Sequence, residues 1–290
     1  MDFLHARSWD EALAAKAEHP DAVPISGGTD LMVDLNFDRR RPDALLDLNG
    51  VAALAEWERV DGHVRIGAGV PFTRIIDEIG PLVPGLAIAS RTVGSPQIRN
   101  RGTLAGNLAT ASPAGDALPP LVVADATVEV ASTRGSRTVP VREFFTGPKR
   151  NVLEPDELIR AVLVPVAGGP QQFAKVGTRN AMVISVCSFA LALHSGLRTV
   201  SGCIGSAGPT VLPTPDAEQF VEGVLTEQHL WESRAELDPA VTVRFGELAG
   251  AHARPIDDVR GTADYRRHAV GVLARRTLQW TWDEYRRSPR

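Results

Sequence analysis

The sequence predicts an α/β (α+β) protein built in two domains, and three observations carry that expectation. Strand-like and helix-like segments alternate through residues 1–165. Three strand-like runs then follow one another with no helix between them, and the remainder is helical. A length of 290 residues exceeds the ~100–200 of one ordinary domain. The breaker cluster Ala167-Gly-Gly-Pro170 marks the join. It gives a first domain over 1–168, with subdomains of about 1–56 and 57–168, and a second over 171–290.

Ser8-Trp-Asp-Glu11 has the spacing of a capping box and opens a helix through Glu18, stopped before Pro20. A strand over Val23–Ser26 leads into Gly27-Gly28-Thr29-Asp30, a helical turn from Leu31 and a buried strand at Leu45–Leu48. His63–Gly67 alternates Val64 and Ile66 with polar neighbours, the period of a half-buried strand. Pro71–Ile79 and Gly85–Thr92 read as helices. Ser95–Pro120, rich in Gly, Asn, Ser, Thr and Pro, reads as a long irregular segment. Thr127–Ser132 and Arg137–Val141 form a hairpin around Thr133-Arg-Gly-Ser136, and Glu157–Val164 is a strand. Beyond the join, Gln172–Val176, Val183–His194 and Arg198–Gly205 make an antiparallel meander. Helices follow over Asp216–Leu225, around Ala240–His252, and along the C-terminus. On that last helix Tyr265, Ala269, Val272, Leu273 and Trp280 share a face opposite a row of arginines, either core-facing or open to a partner helix.

Composition removes several function classes. A formal net charge of −4 gives no basic footprint for nucleic acid. Two cysteines, Cys187 and Cys203, cannot supply the four ligands of an iron–sulfur cluster, and the seven histidines show no zinc spacing. No run reaches the ~18 apolar residues of a membrane span. Met1-Asp-Phe-Leu-His-Ala-Arg7 lacks a secretory pattern, so the expected location is cytoplasmic. Arginines outnumber lysines 28 to 3, a composition bias.

Three segments can carry chemistry. Ile25-Ser-Gly-Gly-Thr-Asp-Leu31 lies between a strand and a helical turn. Consecutive glycines there either make a plain tight turn or free backbone amides for an anion such as a pyrophosphate. Arg101-Gly-Thr-Leu-Ala-Gly-Asn-Leu-Ala-Thr110, continued by Ala111-Ser-Pro-Ala-Gly-Asp116, offers amides, neutral donors and one carboxylate suited to ribityl or ribose hydroxyls. It reads as a long surface loop or as a binding segment. Lys175, with Arg179, is either an edge-protecting lysine or a cation beside an electron-accepting ring. With no evident nucleophile, acid or base, the pattern suits a chain that holds a cofactor.

Together, Ile25–Leu31, Thr103–Asp116 and Lys175-Val-Gly-Thr-Arg179 resemble the FAD-binding medium subunit of the molybdenum hydroxylases, over the whole chain. Ser95-Pro-Gln-Ile-Arg-Asn-Arg101 and Pro255-Ile-Asp-Asp-Val-Arg-Gly-Thr262 are most similar to FAD subunits of bacterial xanthine dehydrogenases. The resemblance implies a two-subdomain FAD domain of the vanillyl-alcohol-oxidase and MurB-like type, plus a C-terminal three-stranded antiparallel sheet with helices. It implies that Pro24, Ile25, Ser26, Gly27, Gly28, Thr29, Asp30 and Leu31 wrap the pyrophosphate. Thr103, Leu104, Ala105, Gly106 and Asn107 then run beside the dinucleotide, with Thr110, Ser112 and Asp116 near the ribityl and ring parts. Ile159 and Lys175 are implied at the flavin ring, and Val93 as a more variable contact. The acidic pair that some eukaryotic relatives carry after the Arg179 position is absent from Asn180-Ala-Met-Val-Ile-Ser185. With no cysteine or histidine in the loops, FAD is expected to be non-covalent.

The same resemblance puts [2Fe–2S] clusters on a small partner subunit and the molybdenum cofactor on a large molybdopterin subunit, in a heterotrimer that doubles. It implies that electrons pass through FAD to NAD or another acceptor during xanthine or hypoxanthine oxidation. The rival readings are a hydroxylase for carbon monoxide, nicotinate or an aldehyde, a non-catalytic scaffold subunit, and a stand-alone flavin oxidoreductase.

Overall fold

The computed structural model describes residues 1–289. The chain starts with β1 (Asp2–His5), α1 (Trp9–Glu18), β2 (Val23–Ile25), α2 (Leu31–Asn36) and β3 (Ala44–Asp47), whose strands form a parallel sheet in the order β1-β3-β2. Ser8 caps α1, its hydroxyl accepting from the Glu11 amide, while the Glu11 carboxylate takes the Arg7 amide. β1 is absent from the sequence reading because its residues are mostly exposed, and it is held by its register on β3.

Next come β4 (Trp57–Val60), β5 (His63–Gly67), α3 (Phe72–Glu78), α4 (Pro84–Thr92), α5 (Pro96–Arg99), α6 (Leu104–Thr110) and α7 (Leu118–Val123). They are followed by β6 (Thr127–Ser132), β7 (Gly135–Pro140), α8 (Val141–Phe144), β8 (Phe145–Gly147), β9 (Arg150–Asn151) and β10 (Leu158–Pro165). An antiparallel sheet in the order β4-β5-β10-β6-β7 results. The reading of Ser95–Pro120 as one irregular segment is corrected: three short helices occupy it. Its polar residues sit at helix starts, with Ser95 and Thr103 as N-caps and Pro96 and Pro119 in first turns, where the missing proline N–H costs nothing. All six residues of α7 are buried.

The last part holds β11 (Gln171–Val176), β12 (Cys187–His194), β13 (Thr199–Gly205), β14 (Leu212–Pro213), α9 (Pro215–Glu227), α10 (Leu230–Ser233), α11 (Pro239–His252) and α12 (Ala263–Arg287). The expected three strands are there, and the two-residue β14 adds a fourth beside β13. This sheet is covered on both faces. Cys187, Phe189, Leu191 and Leu193 join the core under α9, α11 and α12, whereas Ala190, Ala192 and Cys203 join the core of the first 165 residues. Small residues allow α11 and α12 to cross closely: a Cβ on Gly246 would stand 2.5 Å from the Gly271 carbonyl oxygen.

The apolar face assigned to α12 is corrected in part. Ala269 and Leu273 are buried, but Tyr265 and Trp280 are exposed, and Thr277, Leu278, Thr281, Trp282 and Tyr285 point inward. Hydroxyl bonds to the helix's own carbonyls, Thr277 to Leu273 and Thr281 to Thr277, make the threonines tolerable inside. Trp282 and Tyr285 donate to the Ala235 and Trp231 carbonyls. The face packs in the core.

Both thiols are free and buried. Burial pushes Cys187 up to about 12 from 9.0 and raises Cys203 as well. Neither is expected to react with a disulfide reagent at neutral pH until the chain unfolds, which a thiol titration with and without denaturant checks. From pH 9 to about 12 the unfolded thiols ionise first, so stability falls as pH rises through that window.

Candidate functional site

The two glycine-rich segments meet. The loop after β2 reaches the turn before α6 so closely that a Cβ on Gly27 would stand 2.6 Å from the Arg101 carbonyl carbon, inside hard contact with its oxygen. Gly28 has φ +72, a conformation that favours glycine, and its carbonyl accepts the Met32 amide at the start of α2. Among the described residues, the Gly27, Gly28 and Thr29 amides find no acceptor. They are three consecutive free donors ahead of α2, a set that suits an anion. Pro24, on β2, is exposed, and Ile25, Ser26 and Leu31 are half-buried along the same loop.

Side chains tie the two segments together. Thr110 donates to the Asp30 carboxylate at 3.3 Å. Arg101 donates to Asn49 Oδ1 at 3.3 Å, and Asn49 Nδ2 donates to the Ser26 carbonyl at 3.1 Å. On α6, Thr103 caps the helix by accepting the Gly106 amide at 3.0 Å, while Leu104, Ala105 and Leu108 face the core. Gly106 is exposed, and a Cβ there would meet only Thr103 Oγ1, at 3.1 Å. Asn107 Oδ1 is buried without a hydrogen-bond partner.

A second cluster closes the other end of α6. Gly115 packs so tightly against Asn107 that a Cβ would lie 3.0 Å from its Oδ1. Beside it, Asp116 Oδ2 accepts from Lys175 Nζ at 2.5 Å and Oδ1 accepts from the Ser185 hydroxyl at 2.6 Å. The single Thr92 hydroxyl proton has two acceptors in reach, the Ala89 carbonyl at 2.7 Å and Asp116 Oδ2 at 3.0 Å. Lys175 also donates to the Thr92 and Val183 carbonyls. Although β11 is an edge strand, the Lys175 side chain is only 12% exposed, so it serves the buried pair and does not guard the edge. Arg179 is exposed and folds back on the Ala181 and Met182 carbonyls.

The remaining sequence-derived residues are dispersed. Val93 is extended at the end of α4, its carbonyl held by Arg99 at 3.1 Å. The Ser112 hydroxyl accepts the Ala114 amide. Ile159 is buried in the first core on β10, which packs against α6. Sequence reasoning passed over Asn49, Thr92 and Ser185. Ser185 alone left a signal, as a polar residue inside the apolar run from Met182 to Cys187. A depression of about 540 Å³ lined by Glu58, Arg65, Glu129 and Arg137 contains none of the residues singled out from the sequence. The Arg65–Glu129 pair, at 2.6 Å, lines it.

These features fit a dinucleotide. Free amides suit a pyrophosphate, the bare surface at Gly106 admits close approach, and the orphaned Asn107 oxygen asks for a donor. Among the described residues no group of three or more His, Cys, Asp or Glu could hold a metal ion. No described helix is long and apolar enough to cross a membrane.

Comparison with known proteins agrees. Residues 1–167 match the FAD binding domain in molybdopterin dehydrogenase, and residues 172–281 the CO dehydrogenase flavoprotein C-terminal domain. The chain is 36% identical to the nicotinate dehydrogenase FAD-subunit of Eubacterium barkeri over 222 residues, covering 71% of this chain and 75% of that one. It is 28% identical to a putative xanthine dehydrogenase FAD-binding subunit of Escherichia coli, over 95% of this chain and 94% of the relative. A solved carbon monoxide dehydrogenase chain from Hydrogenophaga pseudoflava superposes with TM-score 0.88 at 25% identity, covering 98% of each chain. The chain belongs to the family of FAD-binding subunits of molybdenum hydroxylases.

Proposed function

We propose that this chain is the electron-transfer subunit of a purine-oxidising molybdenum hydroxylase, taking electrons from [2Fe–2S] clusters of a small partner and passing them through FAD to NAD or another acceptor. The observation that supports the flavin-binding part of the reading is the apposition of the two glycine-rich loops, with Asp30 on Thr110 and Gly27 against Arg101; similarity to a xanthine-type FAD subunit supports the purine. When bound, FAD accepts electrons singly and releases them as a pair. The Gly27–Thr29 amides would hold its pyrophosphate, Thr103–Asn107 its length, and Thr110, Ser112, Asp116, Ile159, Lys175 and Val93 its ribityl and ring end. The fixed ammonium of Lys175 would favour the reduced, more negative form of the ring. Both cysteines are buried in separate hydrophobic cores, so cluster ligands must come from another chain. A cytoplasmic location, which keeps the free thiols reduced, and a heterotrimer with a large molybdopterin subunit complete the reading.

A second reading replaces the purine with nicotinate or a related ring. The higher identity to a nicotinate dehydrogenase subunit, 36% against 28% for the xanthine-type relative, supports it. Co-purification of the native assembly, with molybdenum and iron analysis and turnover on xanthine and on nicotinate, separates the two. A chain that purifies alone and turns over a substrate overturns both.

The cradle has its own test at Gly106. Because a Cβ there meets only Thr103 Oγ1, Gly106→Val is expected to fold normally yet weaken FAD binding by about 10- to 100-fold. Flavin absorbance retained on the protein, and released by acid precipitation, is the measurement. Undiminished binding contradicts the assignment of α6 to the cradle.

A further inference from the structure

A buried polar chain leads away from the Lys175–Asp116 pair, and the cofactor loops do not account for it. The Ser185 hydroxyl donates to Asp116 Oδ1 at 2.6 Å, and the Ser185 carbonyl accepts from the Ser206 hydroxyl, also at 2.6 Å. The Ser206 carbonyl accepts from Arg266 Nη1 at 2.9 Å, and Arg266 is paired through Nη2 with Asp258. Ser185, Ser206 and Arg266 are 1%, 5% and 3% exposed, so these links lie out of water, while Asp258 at the far end reaches solvent. Ser206 holds Asp116 from two directions. Besides reaching Ser185, its amide donates at 2.8 Å to the Pro113 carbonyl, on the short loop that carries Asp116. It adopts φ +61 to do so.

Such a chain has a cost that packing alone does not repay. A positive φ on serine is strained, and Arg266 Nε is buried without a partner. What it secures is orientation. A carboxylate torsion is broad and two-fold, so without a donor on Oδ1 the Asp116 carboxylate can turn and pull on the ammonium, whose other protons go to the Thr92 and Val183 carbonyls. A hydroxyl donor on the second oxygen stops that rotation. In a dry site the effect of a charge on its neighbours depends steeply on where the charge stands.

We propose that Ser185, Ser206 and Arg266 are positioning residues for the Lys175–Asp116 pair, fixing where the Lys175 ammonium stands and so setting the preference of the adjoining cradle for reduced over oxidised flavin. The proposal rests on the reading that FAD lies with its ring end at this pair. Arg266, at the first turn of α12, clamps Ser206; Ser206 clamps Ser185 and the Pro113 loop; Ser185 clamps the carboxylate.

The test uses the full chain loaded with FAD, reading the flavin midpoint potential by titration beside a reference dye, with circular dichroism to show folding. Ser185→Ala is expected to keep FAD at full stoichiometry while lowering the preference for the reduced form about tenfold, about 30 mV more negative for a two-electron couple. Ser206→Ala is expected to shift in the same direction, and Arg266→Lys, which keeps a donor for the Ser206 carbonyl, to stay at the wild-type value. In a Lys175→Met background the shift caused by Ser185→Ala is expected to shrink, because the ammonium it positions is gone and only the Asp116 carboxylate remains. A wild-type potential in Ser185→Ala, or an undiminished shift in the Lys175→Met background, overturns the proposal. A wild-type chain that takes up no FAD overturns the underlying reading instead.

Discussion

Gly27→Val is expected to abolish FAD retention and to destabilise the protein by about 2–4 kcal/mol. The reason is local and rigid. The atoms that a Cβ would meet are the carbonyl oxygen and carbon of Arg101, which no side-chain rotation can move aside. Separation of the loops also breaks the alignment behind the Thr110–Asp30 and Asn49–Ser26 hydrogen bonds. Gly28 differs: its added Cβ would meet side-chain atoms of Met32 and Ile25 at 3.3 and 3.5 Å, and the penalty there is its positive φ. Gly28→Ala is therefore expected to cost only about 1–2 kcal/mol. Urea unfolding and flavin content, measured on both variants, check the order. A Gly27→Val protein that keeps its flavin contradicts the loop contact.

Asp116→Ala is expected to be the second severe change, at about 3–5 kcal/mol, because it strands the Lys175 ammonium in a site where both partners are nearly enclosed. It also leaves the Ser185 hydroxyl without its acceptor. Lys175→Met should be milder, since the carboxylate keeps the Ser185 and Thr92 hydroxyls within reach. Equilibrium unfolding of the two single variants and the double variant measures the coupling directly. Equal, small costs for both singles contradict a buried pair that holds this end of the molecule together.

How much of this was legible depends on what kind of signal each element leaves. β5 was read at His63–Gly67 and lies there, because two buried residues alternate with polar ones. β1 and β4 left no such trace, since both are edge strands whose residues mostly face solvent. The helices of 95–123 were hidden by composition: serine, threonine and proline serve there as caps and first-turn residues. On α12, threonines bonded to their own helix replaced the apolar residues a hydropathy pattern looks for.

The site divides in the same way. Glycine-rich loops can be recognised one at a time, so the candidate segments were visible. Their mutual contact was not, because Asp30 and Thr110 are separated by 80 positions and meet only through the fold. Lys175 was conspicuous as one of three lysines. Its partner Asp116 lies 59 positions away and takes another hydrogen bond from Ser185, 69 positions further on, a pairing that no local pattern encodes.

The sheet covered on both faces limits how this protein can be recombined. Its outer residues belong to one core and its inner residues to the other, so the chain cannot be cut at Ala167–Pro170 into two interchangeable cassettes. A chimera that takes its C-terminal half from a relative must import a matching inner surface at Ala190, Ala192 and Cys203 as well as the Lys175 and Ser185 side of the ion pair. Crossovers placed at residues 167–170 would therefore join mismatched halves, and the productive unit of exchange is the whole chain.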